Sequence, residues 1–194
     1  MKNKSIVITR QQPLIENYFI SPEEAWVTDV AIVEGKNISD PFHTSVSINE
    51  ELKTAFPVGV HRAVGGLHDA PNPGDILCAS LASCFESTLR MIANRLKIEL
   101  FSTHVKVSAN VDVRGTLMVS KTVPVGFQNM TIDVTLEVDE TVNEFLTNKL
   151  LIATEQCCII FQTLKQGIPI HIEHDVQYLK SRSNKLNLIH KKAS

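Results

Sequence analysis

The run NPGDILCASLASCFESTLRMIANRL, which begins at Asn72, constrains the fold of this chain more than any other segment. Asn72 offers a capping side chain, Pro73 suits the first helical position, and Asp75 puts an acid in the first turn. Leu77, Leu81, Cys84, Thr88, Met91 and Ile92 then recur at spacings of three and four. That spacing predicts a helix from about Pro73 to Leu96, with Cys84 on the stripe that faces a core or another subunit rather than open solvent.

A second helix pattern follows about seventy residues later. Thr141 with Glu144 three residues on reads as a capping box, the apolar run LLIATEQCCIIFQTL carries the helix to Leu164, and Gly167 and Pro169 stop it. Two alternating strands lie between the helices. Val105, Val107, Ala109, Val111 and Val113 form one, ending at an Arg114-Gly115 turn; Met130, Ile132, Val134, Leu136 and Val138 form the other. Upstream, AWVTDVAIVEG, HTSVSIN and AFPVGV read as two or three short strands, punctuated by Gly35 and Asp40-Pro41. IPIHIEHDV reads as a last strand. The order predicts an α+β domain whose sheet is covered by two cysteine-bearing helices. Residues 26–179 are expected to form one domain, with 1–25 an N-terminal extension and 180–194 a polar, lysine-rich tail without fixed packing.

Composition narrows the class. A net charge of −2 gives no basic excess for nucleic acid. The opening MKNKSIVITRQQPLIENYF lacks the roughly 7–15-residue apolar stretch of a secretory leader, and charges interrupt the apolar segments before bilayer length. A cytoplasmic protein without a membrane partner is expected. The 4 cysteines stand in apolar surroundings rather than in a disulfide framework, and neither CxxC nor HExxH is present. His61, His68 and Asp69 near the GG loop are scattered polar residues rather than a ligand set, so no metal is expected. GGLHDAPNPG lacks the GK[ST] ending of a phosphate loop. Arg90 and Arg95 read as the solvated face of the first helix or as contacts to a second copy.

Asn72-Pro73-Gly74-Asp75-Ile76-Leu77, then Ala82-Ser83-Cys84-Phe85, and later Cys158-Ile159-Ile160-Phe161-Gln162-Thr163-Leu164 resemble the OsmC/Ohr family. Asp112-Val113-Arg114-Gly115-Thr116-Leu117 and Val123-Pro124-Val125-Gly126-Phe127 fit a less characterised OsmC-like branch. The likeness covers roughly Val58 to Val176. It implies an antiparallel-rich sheet with two long central helices, an intertwined homodimer with sites at the subunit interface, and no metal or bound organic cofactor. It also implies reduction of small organic hydroperoxides by a cysteine pair, with electrons taken from a thiol reductant. Two departures are visible. The glutamate that peroxidase members carry ten residues before the first cysteine aligns with Gly74, and the proline that commonly follows the second cysteine is Ile159.

The chemistry asks for few parts. A thiolate attacks the peroxide and becomes a sulfenic acid, which a second thiol condenses to a disulfide. Cys84 sits about three turns into its helix, beyond the reach of the dipole, so a cation from elsewhere must favour its thiolate. Arg62 is the first candidate, Arg114 the second, and His61 a partial one. For the second thiol, the apolar ladder Leu146, Leu150, Ala153, Cys157, Phe161 favours Cys157, whereas the motif register of the resemblance gives Cys158. Cys78, six residues before Cys84, lies off its face and reads as packing. Leu81, Phe85, Met91 and Phe161 would bury the hydrocarbon part of an organic hydroperoxide. The alternative function is non-catalytic: the same fold binding a small apolar ligand, or acting as a slow thiol redox sensor.

Overall fold

The computed structural model describes residues 5–35, 37–49 and 51–179. The chain opens with helix α1 (Ile6–Ile20) and a short 3-10 turn at Pro22–Ala25. Strands β1 (Ala31–Val33), β2 (His43–Ile48) and β3 (Thr54–Gly59) form an antiparallel sheet in that order, with Ala31 opposite Ile48 and His43 opposite Gly59. A 3-10 turn at Arg62–Val64 leads to helix α2 (Pro73–Leu96). Strands β4 (Leu100–Asn110) and β5 (Asn129–Val138) make a second antiparallel sheet, and helices α3 (Glu144–Cys157) and α4 (Ile159–Gln166) follow. This is the expected α+β architecture with antiparallel pairing throughout.

Helix α2 begins where the sequence says and for the stated reason. The Asn72 side-chain oxygen accepts from Gly74 N at 2.8 Å and Asp75 N at 3.2 Å, while Asp75 accepts from Asn72 N at 2.9 Å, a complete capping box. The helix ends at Lys97, a left-handed residue with φ 57° whose N–H returns to Ala93 and Asn94 carbonyls. Its buried face is Leu81, Phe85, Thr88, Leu89 and Ala93, turned from the predicted stripe. Cys84 and Ile92 are only half-buried and Met91 is exposed, because that side borders an open cavity. By length and composition α2 could cross a bilayer, although Glu86 and Arg90 interrupt its apolar run. Leu81, Phe85, Leu89 and Ala93 are instead the centre of the protein core.

That core is completed by Ile98, Leu150 and Cys158, with Val105 and Val107 of β4 and Met130, Ile132, Val134 and Leu136 of β5 packed against it. Register places Val105 opposite Val134 and Val107 opposite Ile132, so the alternating apolar residues meet on one face.

Four expectations are corrected. Strand β4 ends at Asn110 rather than Val113, since the chain turns away at Asp112 to Gly115. The second long helix starts at Asn143, whose side chain accepts from Leu146 N at 3.0 Å; Thr141 bonds Asp139 instead. That helix is also not continuous but breaks at Cys158, which is extended at φ −74°, ψ 111°. Finally, IPIHIEHDV forms no strand: its alternation is real, but no strand edge among the described residues pairs with it, and Ile170 and Ile172 are 84% and 86% exposed. Residues read only as an N-terminal extension include α1, which packs on α2 through Ser5 to Asn94 and Gln11 to Arg95. The expected tail, 180–194, lies outside the described residues.

Candidate functional site

The break between α3 and α4 sets the position of Cys158. Its N–H donates to Thr154 O at 2.9 Å, closing α3, and its carbonyl accepts from Gln162 N at 3.0 Å, opening α4. The extended conformation turns its side chain toward α2. There the Cys158 thiol donates to the Cys84 sulfur, with the two Sγ atoms 3.3 Å apart. Cys158 is fully buried, Cys84 half-buried, and all 4 cysteines are free thiols. Cys157, the alternative partner, is exposed and points elsewhere than the sulfur contact; Cys78 lies off the pair.

Burial pushes the Cys158 thiol up to about 11, and the Cys84 sulfur beside it adds to the rise. The backbone N–H groups of Phe161 and Ile160 pull the other way without completing a capping hydrogen bond. Cys158 is therefore a thiol that keeps its proton near neutral pH and can donate it to a neighbouring thiolate. The Phe85 and Phe161 rings, 6.1 Å apart, pack beside the pair. Burial, with Asp75 assisting, also raises Cys78.

Cys84 opens onto a cavity of about 500 Å³ with mainly apolar walls. Thr88, Met91 and Arg95 of α2 form one wall, Ala153, Cys157 and Ile159 the facing one, and Gln11 of α1 closes the rim. A second apolar cavity of about 510 Å³ lies between Leu81, Phe127, Phe161 and Leu164, with Lys165 at its edge.

None of the candidate cations reaches Cys84 within the chain. Arg62 is exposed in the 3-10 turn, where it donates to Leu67 O at 3.4 Å and lines no part of the thiol cavity. Arg114 is held by Asp112 through bonds of 2.9 and 3.0 Å, which lowers the Asp112 carboxyl and raises the guanidinium. His61 accepts from Ala63 N at 3.0 Å and stacks edge-on against His68. Asp69 and Asp40 instead clasp His43, at 3.1 and 2.8 Å. The arginine that shares the cavity with Cys84 is Arg95, expected on the solvated face of the helix or in contact with a second copy. The signal that could have found it is its spacing of eleven from Cys84, three helical turns on the same side.

Position 74, where the acid is missing, is tightly bounded. A Cβ there would come within 3.0 Å of both Asn72 Oδ1 and Phe127 Cζ, so a side chain would require those neighbours to give by a few tenths of an ångström. Asp75 next to it is fully engaged in the capping box.

Residues 66–173 match the family model of the OsmC-like proteins. The chain belongs to the OsmC-like family. No curated protein matches it significantly. Among solved structures, an organic hydroperoxide resistance protein OsmC from Legionella pneumophila is similar at a TM-score of 0.53 and 19% identity, over 72% of this chain and 90% of its own. An OsmC-like protein from Mycoplasma pneumoniae gives 0.57 at 10% identity, over 73% and 89%. An organic hydroperoxide resistance protein from Elizabethkingia anophelis gives 0.54 at 17%, over 73% and 91%. Across such low identities the likeness is one of fold, and the OsmC-like fold is what brings the mid-helix cysteine of α2 against the cysteine at the α3–α4 break.

Proposed function

We propose that this OsmC-like protein reduces organic hydroperoxides through Cys84 and Cys158. The observation that carries the reading is the 3.3 Å approach of the two sulfurs, which must close by only about 1.3 Å to reach disulfide length. The Cys84 thiolate attacks the distal peroxide oxygen; the O–O bond breaks, the alkoxide takes up a proton and leaves as an alcohol, and Cys84 becomes a sulfenic acid. The Cys158 thiol then attacks that sulfur, the hydroxyl leaves as water, and a disulfide forms. Two external thiols return the pair to its reduced state and are themselves joined as a disulfide. No metal or bound cofactor enters these steps. The names of the Legionella and Elizabethkingia proteins, which concern organic hydroperoxide resistance, agree with this chemistry.

The active form is a homodimer in the cytoplasm, where a reducing environment keeps the thiols free. Its support is apolar surface left open among the described residues: Ile32, Val33 and Ile48 of the amino-terminal sheet are 41%, 56% and 39% exposed. Arg62, exposed and bound only by one long backbone contact, supplies the activating cation from the neighbouring chain.

Titration of free thiols after one equivalent of cumene hydroperoxide tests the reading. Rapid loss of two thiols per chain, absent in Cys84→Ser, is expected; an unchanged thiol count would overturn it. The closed space at Gly74 favours a second reading, a non-catalytic protein that holds a small apolar ligand or senses oxidants slowly. Oxidation over hours rather than seconds in the same titration would select it.

A further inference from the structure

We propose that Cys157 is a third redox thiol, which takes over the Cys84–Cys158 disulfide by exchange and presents it to an external dithiol at the protein surface. The source of that disulfide rests on the peroxidase reading; the exchange itself stands without it.

A disulfide between Cys84 and Cys158 is hard to reduce from outside. Cys158 has no exposed surface, so an external thiolate cannot line up on its sulfur. Attack on the Cys84 sulfur is open through the cavity, but it must come in line with the S–S bond and expel the thiolate of Cys158. A thiol held up to about 11 makes a slow leaving group. A thiol built into the cavity wall meets the same demands at an effective concentration that is roughly millimolar or higher.

Cys157 is placed to be that thiol. It is exposed, free and next to Cys158, with its Cα about 3.8 Å from its neighbour's. It lines the thiol cavity with Ala153 and Ile159, on the wall that faces Cys84. It also lines a second groove of about 320 Å³, among Gln156, Gln162 and Gly167. Cys157 and Ile159 border both spaces, so a sulfur at 157 joins the side where Cys84 reacts to a polar groove from which a dithiol can approach. Cys157 is the last residue of α3, and α4 begins beyond it without a side-chain cap, so the shift that brings its sulfur to Cys84 is confined to a helix end.

The exchange balances. The Cys157 thiolate attacks Cys84 Sγ; the Cys84–Cys157 bond forms, the Cys84–Cys158 bond breaks, and the departing Cys158 sulfur takes up a proton, which its raised pKa favours at neutral pH. One thiolate of the dithiol then attacks the Cys157 sulfur and releases Cys84 as a thiolate. The second thiol of the same molecule closes on the mixed disulfide, frees Cys157 as a thiolate and leaves as a cyclic disulfide. Two electrons pass from the dithiol to the Cys84 and Cys158 sulfurs, and Cys157 ends as it began.

Reduction of the oxidised protein by dithiothreitol tests the relay. The protein is first oxidised with one equivalent of cumene hydroperoxide. Diamide replaces it if the hydroperoxide leaves the thiols intact, a result that would remove the peroxidase reading and leave the exchange to be decided by the same rates. In the wild type, thiol recovery should level off as dithiothreitol is raised, because exchange within the chain becomes limiting. In C157S it should be about tenfold slower at about 0.1 mM reductant and rise linearly with concentration. After oxidation of C158S, peptide mass spectrometry should find Cys84 joined to Cys157. Equal recovery in the wild type and C157S, or a C158S protein in which oxidation joins no Cys84 to Cys157, would overturn the proposal.

Discussion

The two sheets of this protein follow the same rules and reach different ends. In the β4–β5 pair the apolar alternates Val105, Val107, Ile132 and Val134 face α2, on which α3 packs in turn, and the core forms there. In the β1–β3 sheet β2 alternates and β1 and β3 are short apolar runs, yet Ile32, Val33 and Ile48 are 41%, 56% and 39% exposed, and Val58 is the one buried large apolar residue of the sheet. The comparison separates two properties that a hydrophobic pattern merges. Alternation states which face of a strand needs cover, whereas the covering element has to come from somewhere else, and for the amino-terminal sheet it does not come from the described part of the same chain.

The sharpest contrast between covered and uncovered regions is expected at the adjacent cysteines. Iodoacetamide at pH 8 should label exposed Cys157 readily and leave Cys158 intact, because a thiol raised to about 11 is ionised only about once in a thousand at that pH. Peptide mass spectrometry reads this directly, and comparable labelling of both would show that the break at Cys158 opens freely. Next in size is Leu150→Ala, which removes a side chain with no exposed surface and should cost about 2–5 kcal/mol in urea denaturation. Ile32→Ala on the other sheet should cost about 0.5 kcal/mol or less if its face is open to water. A cost near that of Leu150→Ala, growing with protein concentration, would mean that a second chain covers the sheet.

Asn72→Ala should destabilise by about 1 kcal/mol, since it removes the side-chain oxygen that receives two helix N–H groups. The smallest effect is expected at the clasp between β2 and the loop before α2. Hydrogen bonds donated by the imidazolium to Asp40 and then Asp69 raise the His43 pKa, so its contribution is complete below the usual histidine value of about 6.5 and is lost as pH rises through the higher folded value. Asp40 is lowered by the same contact, so its contribution fades as pH falls below the usual carboxylate value of about 3.9. The urea midpoint should therefore be higher at pH 5.5 than at pH 8, a difference absent in His43→Gln; a pH-independent gap between the two proteins would show the clasp to be inert.

How far the sequence could be read depended on whether the deciding interaction was local. Helix α2 was legible to the residue because its start is written in Asn72, Pro73 and Asp75, all within one turn. Strands β4 and β5 were legible through their alternation. The break at Cys158 was not, because the apolar pattern of LLIATEQCCIIFQTL continues unchanged through it and only the contact with Cys84 distinguishes the position. Helix α1 was missed because its β-branched opening and the internal Pro13 argue against a helix, whereas contacts to Asn94 and Arg95 favour one. In the thiol site, Cys84 was readable from its helical face, but the place of Arg95, solvated or against a second copy, was not, since the residue that bonds to it, Gln11, lies more than eighty positions away.

The packing of Phe127 against Gly74 also couples two parts of the molecule. A glutamate introduced at position 74 would bring a Cβ within 3.0 Å of the Phe127 ring and of the capping oxygen of Asn72, so both would have to give by a few tenths of an ångström. Phe127 also lines the second apolar cavity, so a side chain at the start of α2 is felt in the volume beside it.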